Sequence, residues 1–418
     1  MRSSLALIIA CWCLCVMAPA HPDWPDWRGP TADGRSDATG LPLRWSETRN
    51  VAWKTGIHDL GYSTPVVWDS QIWLTTARTD GTVLYAVCID LQSGDVIHDI
   101  PVFRVATPQH INPSNSYATP SAAIEAGRVY VHFGTFGTAC IDTQSGEVLW
   151  RRSDLNCDHM QGPASSPVIF ENLLILHLEG VDKQFIAALD KASGDTVWLY
   201  ERPVDLYTGL EPVYKKSYQT PVVVQVGDKP QLVSNGAVLA TGHDPWTGQE
   251  IWRVRYREDS TISRIVTGHG LLFVNTGGPP NGTELWAVRQ GGVGDVTESH
   301  VVWKMTEDAP HESSPVRVGD LLYTVSERGI LICTEATTGK QVWKERLKGR
   351  YWASLLAAND RIYVTDTKGT VIVVATGREY RELAANTLDG EILASPAVAG
   401  DTLLLRTNRH LYRIKSSE

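Results

Sequence analysis

The strongest constraint on this chain is a phrase that it writes again and again. Residues 140–150 read Cys-Ile-Asp-Thr-Gln-Ser-Gly-Glu-Val-Leu-Trp. Asp142 is placed to accept backbone N–H groups two residues on, and Gly146 to take the positive φ that closes a tight turn. Val148, Leu149 and Trp150 then suit a pleated, half-buried strand. The phrase returns at 89–98, 189–198, 243–252 and 334–343. Upstream of each copy, and once more near the C-terminus, sits a second phrase, small-polar-Pro: Ser63-Thr64-Pro65, Ala118-Thr119-Pro120, Ser165-Ser166-Pro167, Gln219-Thr220-Pro221, Ser313-Ser314-Pro315 and Ala394-Ser395-Pro396. Two linked phrases recurring roughly every 40–55 residues mark a repeat array. Each unit has room for about four strands, one blade of a propeller.

The spacing predicts an all-β fold, an eight-bladed β-propeller of four-stranded antiparallel blades. The units are 62–100, 116–152, 162–200, 214–256, 260–305, 311–347 and 350–386, and a composite of 391–414 with 45–56. In the composite, Val51-Ala52-Trp53-Lys54 is an orphan strand that completes a C-terminal blade lacking one, which closes the ring and leaves no open sheet. Two units are degenerate. Ser263-Arg264-Ile265 replaces the small-Pro pair in one, and Ala353-Ser354-Leu355 in the other; if either is misread, seven blades is the alternative. Trp53, Trp150, Trp198, Trp252, Trp303 and Trp343 end the turn phrases and are expected to dock blade against blade, with His98 in that place in the first full unit.

Residues 1–20 read as a signal peptide: Arg2, an apolar run over Leu5–Val16, and Ala18-Pro19-Ala20 as a cleavage site. Cys11 as a lipoprotein attachment site is the lesser alternative. Export to the periplasm or the exterior follows, and no later stretch is long enough to be a transmembrane segment. Residues 21–44 are an irregular lead-in whose Trp24 and Trp27 are expected to pack across the outside of the ring. The single propeller domain occupies 45–418. Net charge is −9, which excludes a nucleic-acid binder relying on a basic face. Cys88, Cys140 and Cys333 hold equivalent places in different units, too far apart for disulfides, and read as small buried core residues. Cys157 has no evident partner. A monomer is expected.

The Ser/Thr-Pro-Val starts and Asp-x-x-Ser/Thr-Gly-x-x-x-Trp turns resemble the quinoprotein-type, or pyrroloquinoline-quinone-like, repeat propellers. The resemblance covers nearly all of the mature chain. Trp24-Pro25-x-Trp27-Arg28-Gly29-Pro30 and Asn50-Val51-Ala52-Trp53-Lys54 also resemble the exported propellers of planctomycete-type bacteria. The family includes dehydrogenases that hold pyrroloquinoline quinone with Ca²⁺ over the channel mouth, beside a disulfide between adjacent cysteines. It also includes propeller lipoproteins of the outer-membrane β-barrel assembly machinery. This chain has no adjacent cysteine pair.

The small-Pro phrase starts the innermost strands, so residues just before it should ring one end of the central channel. That reading collects Tyr62, Tyr117, Tyr218, His311, Glu312 and Trp352, with Asn115, Arg264 and Arg350 from neighbouring positions. Aromatic faces with a few polar and charged groups suit a flat polar or anionic ligand. His311-Glu312 is the most chemical pair, although neighbours on a strand point to opposite faces. Neither a Gly-x-Ser-x-Gly nucleophile turn nor a metal-spaced His pair occurs. The expected function is a non-catalytic binding or scaffold module of the cell envelope, with a protein, a small ligand or a glycan as partner. The alternatives are a dehydrogenase using pyrroloquinoline quinone and Ca²⁺, and a glycan-binding propeller stacking sugars on Tyr117, Tyr218 and Trp352.

Overall fold

The computed structural model describes residues 23–257, 261–278 and 282–416; the expected signal peptide and Cys11 lie outside them. Eight sheets are arranged as blades, so the seven-blade alternative falls. Blades 1–8 span residues 66–104, 123–152, 168–201, 222–255, 266–305, 316–346, 356–387 and 397–415. Each is a four-stranded antiparallel meander in chain order, and blade 8 takes its outermost strand from Val51–Gly56, which pairs with His410–Lys415. Two blades carry an extra parallel strand: Gly294–Asp295 on the outer edge of blade 4 and Arg35–Ser36 inside the innermost strand of blade 7.

The turn phrase folds as its residues dictate. Asp142 Oδ1 accepts the N–H groups of Gln144 and Ser145 at 3.1 and 2.8 Å. Asp90, Asp190 and Asp244 repeat the pattern. Just after the turn, a shift in register at the start of the fourth strand turns its Trp toward the next blade. There the indole N–H donates to a turn carbonyl: Trp53 to Leu91 O, Trp150 to Lys191 O, Trp198 to Pro245 O, Trp303 to Ala336 O and Trp343 to Gly377 O, all at 3.0–3.1 Å. The rings of Trp53, Trp150, Trp198 and Trp303 lie against the turn's glycine. A Cβ on Gly248 would stand 2.5 Å from Trp198, and its φ of +73° is one that other residues rarely adopt. His98 lies on Gly146 in the same way. Trp252 differs: its indole donates to Gln231 Oε1 at 2.8 Å, within its own blade, and its ring covers Gly242. The lengthened turn of blade 5 offers it no carbonyl.

The small-Pro phrase does more than start a strand. Its hydroxyls link the blades around the axis. Thr64 N donates to Ser121 Oγ, Ser121 N to Ser166 Oγ and Ser166 N to Thr220 Oγ1, at 2.9–3.0 Å. Beyond a gap, Arg264 N donates to Ser314 Oγ, Ser314 N to Ser354 Oγ, Ser354 N to Ser395 Oγ and Ser395 N to Thr64 Oγ1, at 2.9–3.1 Å. The gap falls where blade 5 carries Arg264 in place of a hydroxyl residue.

The lead-in does not cross the outside of the ring. It fills the channel. Trp24 pairs with Val67 through two hydrogen bonds of 2.9 Å, and Pro25 O accepts Ile124 N at 3.0 Å. Asp26 meets Arg264 at 2.5 Å. Arg28 is 2% exposed and donates to Pro315 O and Leu355 O at 2.7 and 2.6 Å. After Arg35–Ser36 the segment runs outward between blades 7 and 8, where Trp45 is buried and stacks on Tyr363 at 6.4 Å. The physical reason is capacity: the innermost strands present carbonyls and N–H groups to the channel, and a polar-aromatic segment satisfies them.

Candidate functional site

Above the plug, the ends of the innermost strands enclose a cavity of about 350 Å³. Its floor is Trp27, with the Arg28 and Arg264 guanidiniums at 5.7 and 5.8 Å from its ring centre. Tyr62, Tyr218 and Trp352 stand in the wall, with Ala164, Ile262 and Leu393 completing an apolar belt. Polar groups come from Asn112, Asn115, Gln161, His311, Glu312 and the inter-blade hydroxyls. Tyr218 Oη is fixed by donation to His159 O at 3.0 Å and lies 3.1 Å from Gln161 Oε1. Asn115 Nδ2 donates to Gln161 O at 2.8 Å. His311 Nδ1 lies 3.0 Å from Glu312 Oε1. The two meet because 311–315 is not a strand, so the alternation rule does not apply to them. Glu312 Oε2 and Trp27 Nε1 are shielded and have no hydrogen-bond partner among the described residues.

Three of the residues collected from the sequence lie elsewhere. Tyr117 turns away from the cavity, covers Gly81 and donates to Gln109 O at 2.9 Å. It lines a separate groove on the same face with Leu60 and Ile111. Arg264 lies under the floor on Asp26 and Pro221 O. Arg350 is outside, paired with Glu327 and 5.5 Å from the Trp352 ring centre. Lys216 is 1% exposed, with its Nζ 5.2 Å from the Tyr218 ring centre. Among the described residues the cavity lining therefore holds one carboxylate, one histidine and neither Arg nor Lys.

The sequence reading missed Trp27 and the hydroxyl ring. The signal for the first was an aromatic-cation pair, Trp27-Arg28, in a segment too polar to pack on a rim. The signal for the second was a hydroxyl residue before nearly every strand-starting Pro.

Pyrroloquinoline quinone with Ca²⁺, the cofactor that the resemblance implies, would bring a planar tricarboxylate and a dication. The residues present do not fit it. Glu312 is the one carboxylate among the described lining residues, so most of the six to eight oxygens that Ca²⁺ takes would have to be neutral amides and hydroxyls, and the three acid groups of the quinone would face Glu312 with neither Arg nor Lys on that lining. Among the described residues no group of three His, Cys, Asp or Glu side chains could hold a metal ion.

Fold and site together define a quinoprotein-like repeat propeller whose channel is plugged by its own N-terminal segment. The chain belongs to the family described as outer membrane protein assembly factor BamB, whose profile matches residues 104–277 and 234–416. A curated relative, outer membrane protein assembly factor BamB of Burkholderia pseudomallei, is 32% identical over 94 residues, 22% of this chain and 24% of that protein. The crystal structure of BamB from Moraxella catarrhalis superposes with a TM-score of 0.59 at 13% identity, over 87% of this chain and 99% of that one. A europium-containing methanol dehydrogenase does so with a TM-score of 0.55 at 12% identity, over 92% and 89%. The computationally designed Ika8 protein reaches 0.59 at 11% identity, over 90% and 100%. At these identities the structural likeness concerns the fold alone. Among the described residues no helix is long and apolar enough to cross a membrane.

Proposed function

We propose that this propeller is an exported, non-catalytic scaffold of the cell envelope that holds protein partners on its rim, and that the partners belong to the assembly of outer-membrane proteins. Family membership across residues 104–416 carries the reading. The rim supports it. On the outermost strands of blades 1–3, Val96, Ile97, Leu149, Val197 and Leu199 are 43–50% exposed. These strands also present an unpaired backbone edge, which a partner strand or an apolar surface can take up. Blade 4 hides the same edge under Gly294–Asp295, and blade 6 fills it with Lys344, Glu345 and Arg346. The misfit of quinone and Ca²⁺ at the channel mouth weighs against the dehydrogenase alternative.

The experiment is site-specific photo-crosslinking in cells. A photoreactive side chain at Val197 or Leu199 is expected to give a discrete protein adduct, and one at Glu345 none. Loss of the gene is expected to lower the outer-membrane content of β-barrel proteins. Unchanged barrel protein levels together with equal labelling at all three positions would end the proposal, as would dye-linked alcohol oxidation by protein loaded with pyrroloquinoline quinone.

A further inference from the structure

We infer that the cavity at the channel mouth is a closed-ended sugar site, taking the terminal one or two units of a neutral or amino sugar chain. This site is separate from the rim and stands or falls independently of the scaffold reading.

Shape argues for a chain end. The plug turns the channel into a cup, because Trp27 floors it and the Arg28 side chain fills the space below. A polymer cannot thread through, and a cavity of about 350 Å³ lies at the small end of the usual range for ligand pockets. The lining argues for a sugar. Aromatic faces on Trp27, Trp352 and Tyr62 offer electron-rich surfaces to the weakly positive C–H face of a pyranose. The polar groups are amides, hydroxyls and one carboxylate, which hydrogen-bond sugar hydroxyls without requiring a charge on the ligand. Charge then sorts among sugars. With Glu312 on the wall and neither Arg nor Lys among the described lining residues, uronic acids and sugar phosphates are disfavoured, while an amino group gains a charge-assisted hydrogen bond.

Two atoms show unused capacity. Glu312 Oε2 and Trp27 Nε1 are an acceptor and a donor with no partner among the described residues, in a place where buried polar groups ordinarily have one. Both side chains line the cavity, so a ligand hydroxyl is the group that could pair with them.

The test uses the whole purified chain. Trp27 and Trp352 both line the cavity, so tryptophan fluorescence reports on it, and calorimetry supplies the affinity. The panel is glucose, galactose, N-acetylglucosamine, glucosamine, galacturonic acid, cellobiose and cellotetraose. At least one neutral or amino sugar is expected to bind, galacturonic acid is expected not to, and cellotetraose is expected to bind no more than a few-fold tighter than cellobiose. Glu312→Gln, nearly isosteric, is expected to weaken binding about tenfold with an unchanged melting temperature. Trp352→Ala is expected to weaken it at least as much. Failure of every sugar to bind, tighter binding of galacturonic acid than of galactose, or wild-type affinity in Glu312→Gln overturns the proposal.

Discussion

The junction of blades 3 and 4 and the junction where the two chain ends close the ring do the same mechanical work with opposite chemistry. Between blades 3 and 4, Glu179 and Arg202 form an ion pair with both side chains wholly buried. Arg202 also donates to Thr241 Oγ1 and Ser234 Oγ at 2.8 and 2.9 Å, and His177 Nδ1 meets the same Ser234 Oγ at 2.9 Å. Glu179 accepts Ala237 N at 3.2 Å. Burial works against the Arg202 charge, and the Glu179 carboxylate more than offsets it, so the guanidinium stays protonated. The closure instead joins Trp24, Leu41 and Trp45 to Leu403–Leu405, Leu411, Tyr412 and Ile414 in one apolar cluster with blades 1 and 7. Its buried Arg406 donates to Ser63 O at 3.0 Å and to Ser63 Oγ. An apolar seam rests on few groups whose protonation matters. A polar seam fixes one geometry and breaks when its protons are wrong.

Acid is the largest lever on that difference. Burial depresses His132, His159 and His243, at and next to blades 2–4, to about 3, 4 and 3. His159 is visibly neutral, since its Nε2 accepts Thr135 N at 3.0 Å. In the unfolded chain each titrates near 6.5. Below that value the unfolded state takes up protons that the folded state refuses, so stability falls as pH drops from 6.5 toward 4. Between pH 7 and 5 the loss is about 2 kcal/mol for each buried His, about 6 kcal/mol for the three. His58, on the rim of the closure, has the opposite sign. Burial opposes its charge, but hydrogen bonds to Asp59 and Asp99 prevail and raise it, so its contribution is present below 6.5 and fades as pH rises through the raised value. Thermal melts at pH 7 and 5, with hydrogen exchange resolved by segment, check both. Equal protection of 123–255 at the two pH values would remove the contrast.

Breaking one half of the buried pair comes next. Arg202→Met leaves the Glu179 carboxylate uncompensated and is expected to cost about 3–5 kcal/mol, most of it recovered in the double variant Glu179→Leu with Arg202→Met. Leu404→Ala in the apolar seam is expected to cost about 2–5 kcal/mol, with the same value at pH 7 and 5. Denaturant unfolding of the four proteins at both pH values separates the seams. A double variant no better than Arg202→Met would mean that the network supplies more than charge compensation.

Trp198→Ala is expected to cost about 3–5 kcal/mol in a ring that unfolds as one unit, because it empties the socket on Gly248 and strands Pro245 O. Trp252→Ala breaks no hydrogen bond to the next blade, but its ring belongs to the apolar cluster that joins blade 4 to Ile265, Leu272 and Trp286 of blade 5, so it is expected to loosen that junction through lost packing alone. Denaturant unfolding compares the two variants: Trp198→Ala is expected to cost more, because it also strands Pro245 O.

The seams were unequally legible in the sequence. Blade number, blade boundaries and the chain-end closure followed from periodicity, because each copy of the phrase repeats one local physical solution. The fate of 21–44 did not. Polar and aromatic residues without a period serve equally well on a rim or in a channel, and only the unsatisfied carbonyls of Pro315 and Leu355, distant in sequence, decide between them. The mouth was half legible. Counting back from each Pro found Tyr62, Tyr218, Glu312 and Trp352, but not that Arg264 and Arg350 would be claimed by Asp26 and Glu327. Sequence position reports which end of a strand a residue occupies. It does not report which neighbour captures a long cationic side chain.

The smallest expected effect lies in the hydroxyl ring, where the two halves of the molecule again differ. Ser354 accepts Ser314 N at 2.9 Å, within the arc that runs unbroken from blade 5 through the closure and round to blade 4. Ser354→Ala orphans that buried N–H and is expected to cost about 1–3 kcal/mol. At the gap, Arg264 has exchanged the ring hydroxyl for a tie to the plug through Asp26. Arg264→Ser restores the ring's residue type and cuts the tie. Its stability should change less than that of Arg202→Met, because water at the part-exposed Asp26 can solvate the freed carboxylate. Its plug should loosen nonetheless, seen as faster protease cleavage within 23–45 at unchanged cleavage of the blades. If Ser354→Ala loosened the plug equally, the ring and the plug would be one structure, and the exchange at Arg264 would carry no separate role.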